Sequence, residues 1–213
     1  MAEYRLHCLA QSGNSYKVAL MLELCGVDWE REFVDYYRGA HRTPEFRAIN
    51  EMAEVPVLEH GQIRLTQSGV ILDYLAERLG RFGHRDEAER REILRWILWD
   101  NHKLSSYTAT WRFLTSFARD DQRNAGAAEL LGTRARAAMV ILDGHLAKRD
   151  WIVGEEMTIA DLSCAGYMFY ADEVPVDWDR EFANLVAWRE RIRALPGWKH
   201  PYDLMPGHPV AER

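Results

Sequence analysis

The sequence predicts two domains in tandem: a small α/β domain of order βαβ–α–ββ–α over residues 1–79, a linker over 80–86, and an all-α domain over 87–213. Three observations predict this. Apolar residues alternate with a period of two near the start of the chain and again around residues 55–65, as half-buried strands require. Gly80-Arg81-Phe82-Gly83-His84-Arg85 then breaks the chain with a Gly-punctuated basic stretch. Beyond it apolar residues recur at helical spacing, and the only strand-like fragment is Trp151-Ile152-Val153.

Taken in order, Tyr4 to Leu9 alternates Tyr4, Leu6 and Cys8 against Arg5 and His7 and reads as a strand. Gln11-Ser12-Gly13-Asn14 is a turn. Ser15 leads into a helix with Val18, Met21, Leu22 and Cys25 on one face and Gly26 as its C-terminal cap. Trp29 to Val34 is a second strand, parallel to the first through a right-handed crossover. Tyr36 to Gly39 is loop, and Thr43-Pro44 opens a short helix with Thr43 as N-cap and Pro44 at the first helical position. Val55 to Glu59 and Gln62 to Leu65 form a hairpin around His60-Gly61. A helix follows, with Val70, Ile71, Tyr74 and Leu75 as its apolar stripe. In the second domain Glu87 to Phe117 is one long helix or a broken pair. Gln122 to Lys148 is another helix, with Leu130, Leu131, Met139, Leu142 and Leu146 inward. Thr158 to Tyr170 and Phe182 to Leu195 complete a bundle.

Bulk properties narrow the function classes. The 213 residues are 47% hydrophobic, enough for sizeable cores, and the net charge of -6 argues against a general nucleic-acid binder. No signal-like start and no uncharged apolar run long enough to span a bilayer occur, so a cytoplasmic protein without a membrane partner is expected. Cys8, Cys25 and Cys164 are too scattered for a disulfide framework or a zinc site, and no C-x-x-C motif exists, so no metal is expected.

Residues 54–74, EVPVLEHGQIRLTQSGVILDY, carry the chemistry of the first domain. Pro56 is either a harmless strand start or part of a cis Val55-Pro56 bond. A cis bond turns the Val55 backbone outward, where it can pair with an extended peptide. Gln67 and Ser68 crown a helix N-terminus, whose unpaired N–H groups and dipole favour a carboxylate. Together these describe a pocket for a small acidic peptide. Taken singly, each feature is as well explained by an edge device or a cap. Thr158-Ile159-Ala160-Asp161, with Met157 able to staple to Leu162, is a capping-box start and a folding element.

The ordered set of Val55-Pro56, Gln67-Ser68, T-I-A-D at 158–161 and the closing NLVAWRERIRALPGW at 184–198 resembles the soluble glutathione transferases over nearly the whole chain. The resemblance implies a thioredoxin-like first domain that binds glutathione and a helical domain that receives a hydrophobic electrophile, in a homodimer. It also implies that Val55 pairs with the cysteinyl part ahead of cis Pro56, that Gln67 and Ser68 hold the γ-glutamyl carboxylate, and that His41 reaches the glycyl end. The family activates the thiol from a Tyr, a Ser or, in some branches, a Cys. Tyr4 and Tyr16 are out of register for the first, and Ser12 falls where the serine branches keep their hydroxyl. Ser15 is the nearest rival, and Asn14 is a further donor. Tyr107 and Trp111, one helical turn apart, are the candidates for the electrophile pocket wall.

The chain departs from the family in reading Asn50-Glu51-Met52-Ala53-Glu54 before Val55, which sets Glu54 beside an anionic ligand. Arg38, Arg42 and Arg47 are available to offset that charge. The reading expected is therefore a serine-type glutathione transferase. Its alternatives are a non-catalytic module on the same fold, or a glutathione-dependent isomerase, dehalogenase or peroxidase.

Overall fold

A computed structural model of the chain describes residues 2–210. They form two compact units: residues up to Arg81 together with those from Leu195 onward, and Phe82–Ala194 between them. The first unit holds β1 (Tyr4–Cys8), α1 (Gly13–Cys25), β2 (Trp29–Phe33), α2 (Pro44–Ile49), β3 (Val57–His60), β4 (Ile63–Thr66) and α3 (Ser68–Leu79). The tail returns to this unit and adds α10 (Pro201–Leu204), so the expected domain 87–213 loses its last residues to the first unit.

Its sheet has the order β2-β1-β3-β4. β1 pairs parallel with β2 (Tyr4 opposite Trp29, Cys8 opposite Phe33) and antiparallel with β3 (His7 opposite Val57). β3 and β4 form the hairpin, Val57 opposite Thr66. α1 is buried nearly all round, from Ser15 to Leu22 without interruption, while Cys25 is half-buried. It ends at Gly26, whose φ of 68° lets its N–H reach the Glu23 and Leu22 carbonyls. In α3 the buried positions are Ser68, Ile71, Leu72, Leu75 and Ala76, a 3-4 repeat that leaves Val70 exposed, against its expected place in the stripe.

The second unit holds α4 (Glu87–Trp99), α5 (Ser105–Arg112), α6 (Ala125–Leu146), α7 (Ile159–Ala165), α8 (Trp178–Glu181) and α9 (Ala183–Arg193). The long helix expected over 87–117 runs on through two π turns, Asp100–Leu104 and Phe113–Phe117. At the first, buried Asp100 accepts hydrogen bonds from Ser105 and Ser163, each at 2.7 Å. In α6 the inward positions go to small residues such as Gly132 and Ala135, with Met139, Leu142 and Leu146. A Cβ on Gly132 would stand 2.9 Å from Trp111 Cε2, so the indole needs that gap. Leu130 is consequently exposed and Leu131 only half-buried.

The expected strand at Trp151–Val153 does not form, because its backbone is used elsewhere. Ile152 N–H donates to Asp161 Oδ1 at 3.0 Å, and the Ile152 carbonyl meets His145 Nε2 at 2.8 Å. The helix expected from Thr158 ends at Ala165. Its capping box is complete. Asp161 Oδ2 accepts from Thr158 N–H at 2.9 Å and Oδ1 from Trp188 Nε1 at 2.9 Å. Burial pushes this carboxyl up to about 6 against the pull of those donors. Asp161→Asn turns an acceptor into a donor facing Thr158 N–H. It should cost about 2–3 kcal/mol in urea unfolding, and a loss under 0.5 kcal/mol would show the carboxylate is not what holds this junction.

Candidate ligand site of the first unit

Strand register gathers the sequence-predicted residues of this unit at one end of the sheet. The C-terminal end of β1 leads to Ser12, the N-terminal end of β3 follows Pro56, and the C-terminal end of β4 leads to Gln67. His7, Val57 and Thr66 lie side by side across the three strands. The end of β2, opposite Cys8, leads to the loop with His41.

Ser12 is the N-cap of α1. Its backbone is extended (φ -89°, ψ 106°) and its Oγ accepts the Ser15 N–H at 3.1 Å. That bond uses a lone pair and leaves the hydroxyl proton free to donate. Ser12 is half-buried whereas Ser15 is fully buried, so of the two hydroxyls only that of Ser12 is open to a ligand. No acidic residue sits in the first turn of α1, so the helix dipole favours an anion there. Asn14, in the same turn, is half-buried, and its Oδ1 is enclosed without a hydrogen-bond donor.

The Val55-Pro56 bond is cis. The turn before it is held by Asn50, whose Nδ2 donates to the Glu54 carbonyl at 2.9 Å and whose Oδ1 accepts Met52 N–H at 3.1 Å. Ala53 takes φ 54° to complete the turn. Val55 packs beside Val34, Phe46 and Val57. Gln67 precedes α3 with φ 66° and ψ 114°, a conformation that costs a non-glycine residue of order 1–2 kcal/mol. Its amide donates to Glu54 Oε2 at 3.1 Å, tying the turn before Pro56 to the start of α3. Ser68 is buried at the first turn, which carries no acidic residue. The Gln67–Glu54 link joins residues 13 apart with no motif in common, and only the hairpin register brings them together.

His41 is not the exposed loop histidine that its position suggests. It is buried, stacked on Tyr36 with ring centroids 3.7 Å apart, and its Nε2 accepts from Arg42 Nε at 3.1 Å. Burial, then Arg42 and Arg47, hold its pKa below the usual imidazole value. Arg42 and Arg47 are exposed, and among the described residues neither has a carboxylate partner. Arg38 instead pairs with Asp35 at 3.8 Å. The arginine pair was legible as composition, but its coupling to His41 was not.

In the second unit Trp111 is buried against Gly132 of α6, as core packing. Tyr107 is half-buried, with Arg134 5.6 Å from its ring centroid. The chain's own thiols are poorly placed for nucleophilic work. Cys8 and Cys164 are buried, and burial pushes Cys8 up to about 12. Among the described residues no His/Cys/Asp/Glu group could hold a metal ion, and no helix is long and apolar enough to cross a membrane.

Comparison with known proteins agrees with this architecture. Residues 4–77 match the family model described as glutathione S-transferase, N-terminal domain, and residues 107–196 match its C-terminal domain. A solved structure described as a possible glutathione S-transferase from Rhodopseudomonas palustris is 32% identical, covers 93% of this chain and 90% of its own, and superposes with a TM-score of 0.86. A glutathione S-transferase from Xanthobacter autotrophicus Py2 is 30% identical, with 93% and 97% coverage and a TM-score of 0.86. The disulfide-bond oxidoreductase YfcG of Escherichia coli K12 is 28% identical, over 88% of this chain and 89% of its own. On the fold, the two matched domains and these identities, the chain belongs to the glutathione S-transferase family.

Proposed function

We propose that the protein binds glutathione at the strand-end face of the sheet in its first unit, stabilises the thiolate with the Ser12 hydroxyl, and joins the peptide through its sulfur to an electrophilic small molecule. The observation that carries the reading is the Ser12 geometry: Oγ accepts the Ser15 N–H at 3.1 Å, so its proton is left to donate outward at the positive end of α1. The bound thiolate then attacks an electrophilic carbon. A C–S bond forms and the leaving group departs with the electron pair.

The size of the task fits the groups present. A free thiol titrates near about 8.5, and a useful thiolate at neutral pH needs that lowered by roughly two units, about 2.7 kcal/mol. A hydroxyl bond to a charged acceptor supplies about 1.5–3 kcal/mol, and the helix N-terminus adds about 0.3–1. The remaining contacts follow the peptide. The Val55 backbone ahead of cis Pro56 pairs with the cysteinyl part, and the start of α3 at Gln67 and Ser68 takes the γ-glutamyl carboxylate. Arg42 and Arg47 take the glycyl carboxylate, with His41 orienting Arg42 rather than touching the ligand itself. Asn14 stands by as a second donor in the α1 turn. Tyr107 is the better of the two candidates for the electrophile's surroundings, since Trp111 is committed to packing. A homodimer in the cytoplasm belongs to the same reading.

A second reading has one observation in its favour, the similarity to a disulfide-bond oxidoreductase. With Cys8 and Cys164 buried and the half-buried Cys25 pushed up by burial, the chain would run that chemistry on glutathione alone, a second glutathione resolving the mixed disulfide. Glutathione-dependent reduction of a small disulfide, with no turnover of aryl halides, would favour it.

Titrating bound glutathione by its ultraviolet thiolate absorbance tests the main reading. The wild type should titrate below the free thiol, Ser12→Ala should raise that value by about 1–2 units, and Ser15→Ala should leave it in place. An unshifted wild type would end the proposal. His41→Phe keeps the stack on Tyr36 but removes the acceptor for Arg42. It should weaken glutathione binding by roughly 3–10-fold and leave binding of glutathione esterified at its glycyl carboxylate unchanged; equal losses for both ligands would contradict the arginine seat. In NMR, His41 should titrate below the ordinary 6.5. Its unfolded form then binds the extra proton, so its contribution to stability is full above 6.5 and is lost as the pH falls through its folded value.

A further inference from the structure

The tail after Leu195 runs along the first unit from one end of α1 to the other. Gly197 approaches the C-terminal end of α1, where a Cβ would stand 3.4 Å from the Glu23 carbonyl oxygen. Lys199 pairs with Glu23, and the Lys199 carbonyl accepts from the buried Tyr16 hydroxyl at 2.9 Å. α10 packs against α1, and the Leu204 carbonyl accepts from Arg31 Nε at 2.7 Å. The run ends on the loop that carries Ser12. Ala10 N–H donates to the Pro206 carbonyl at 2.7 Å, and Gln11 Nε2 donates to the Gly207 carbonyl at 2.8 Å. Gly207 has φ 97°, a conformation that residues with a side chain rarely adopt, and a Cβ there would fall 2.5 Å from Phe33 Cε2.

We infer that residues 197–207 are a strap whose task, beyond packing, is to position the Ser12 hydroxyl, with Gln11 as the positioning residue. The two residues directly before Ser12 are pinned to consecutive strap carbonyls, and Ser12 N–H closes the same turn on the Leu9 carbonyl at 3.0 Å. The strap thus holds the turn before Ser12, and the Ser15 N–H holds the hydroxyl oxygen itself, so the strap sets where that oxygen sits. A hydrogen bond to a thiolate weakens steeply with misalignment, so releasing the strap costs thiolate before it costs peptide binding. A strap that served packing alone would alter stability and leave the thiol untouched. The inference rests on the Ser12 reading of the site.

Three variants test it: Gln11→Leu, which deletes the donor at similar volume; Gly207→Ala, which drives a methyl into Phe33; and a chain ending at Met205, which removes both carbonyls. In each, the thiol titration of bound glutathione, the dissociation constant of S-methylglutathione and the thermal midpoint are measured. We expect the thiol pKa to rise by about one unit, a tenfold lower thiolate-to-thiol ratio at fixed pH, with S-methylglutathione binding changed less than about threefold. Should the shortened chain fail to fold, the two point variants decide. A depressed thiol pKa in the wild type that stays depressed in the folded variants would overturn the strap alone. An undepressed value in the wild type would sink the strap and the Ser12 reading together.

Discussion

A small peptide carrying two carboxylates and a thiolate can be held by a protein of net charge -6 only where local fields oppose the global one. Backbone amides at helix starts are the means this fold offers, and its first unit offers two, at α1 and α3, at the same end of the sheet. Both starts are free of acidic residues in the first turn. Both also depend on the backbone just before the helix: extended at Ser12, left-handed at Gln67. In the proposed site the cap of α1 is the tighter constraint, because the Ser12 hydroxyl accepts from Ser15 N–H and has its proton left for the ligand. Everything else at the site depends on where that oxygen points.

Glu54 sits uneasily in this arrangement. It places a carboxylate 3.1 Å from the Gln67 amide, at the mouth of the α3 seat. That bond helps hold Gln67 in its left-handed conformation, so the same residue supports the geometry of the seat and opposes its charge. In the proposed site Arg42 and Arg47, free of carboxylate partners among the described residues, offset that charge. The neutral, stacked His41 is what lets two guanidinium groups share that space with an imidazole.

Much of this was legible in the sequence, and for local reasons. The strand positions, Thr43-Pro44, the Gly26 cap and the T-I-A-D box are encoded within a few residues of where they act, and the structure places each as read, although burial along the strands does not alternate: His7 and Leu58 are buried and Ile63 is exposed. What failed depended on partners far along the chain. Val70 and Leu130 are apolar yet exposed because helix phase is set by what packs opposite, in α6 a Trp111 that needs Gly132. Trp151–Val153 has strand composition but gives its amide to Asp161. The strap was hidden for the same reason: Gln11 and Gly207 are 196 residues apart, and nothing in either segment announces the other.

The most direct test of the account is a structure of the protein with glutathione bound. The sulfur should lie within hydrogen-bond reach of Ser12 Oγ at the start of α1, with Ser15 still buried. A sulfur turned away from α1, or held by Asn14 while the Ser12 hydroxyl faces elsewhere, would contradict it.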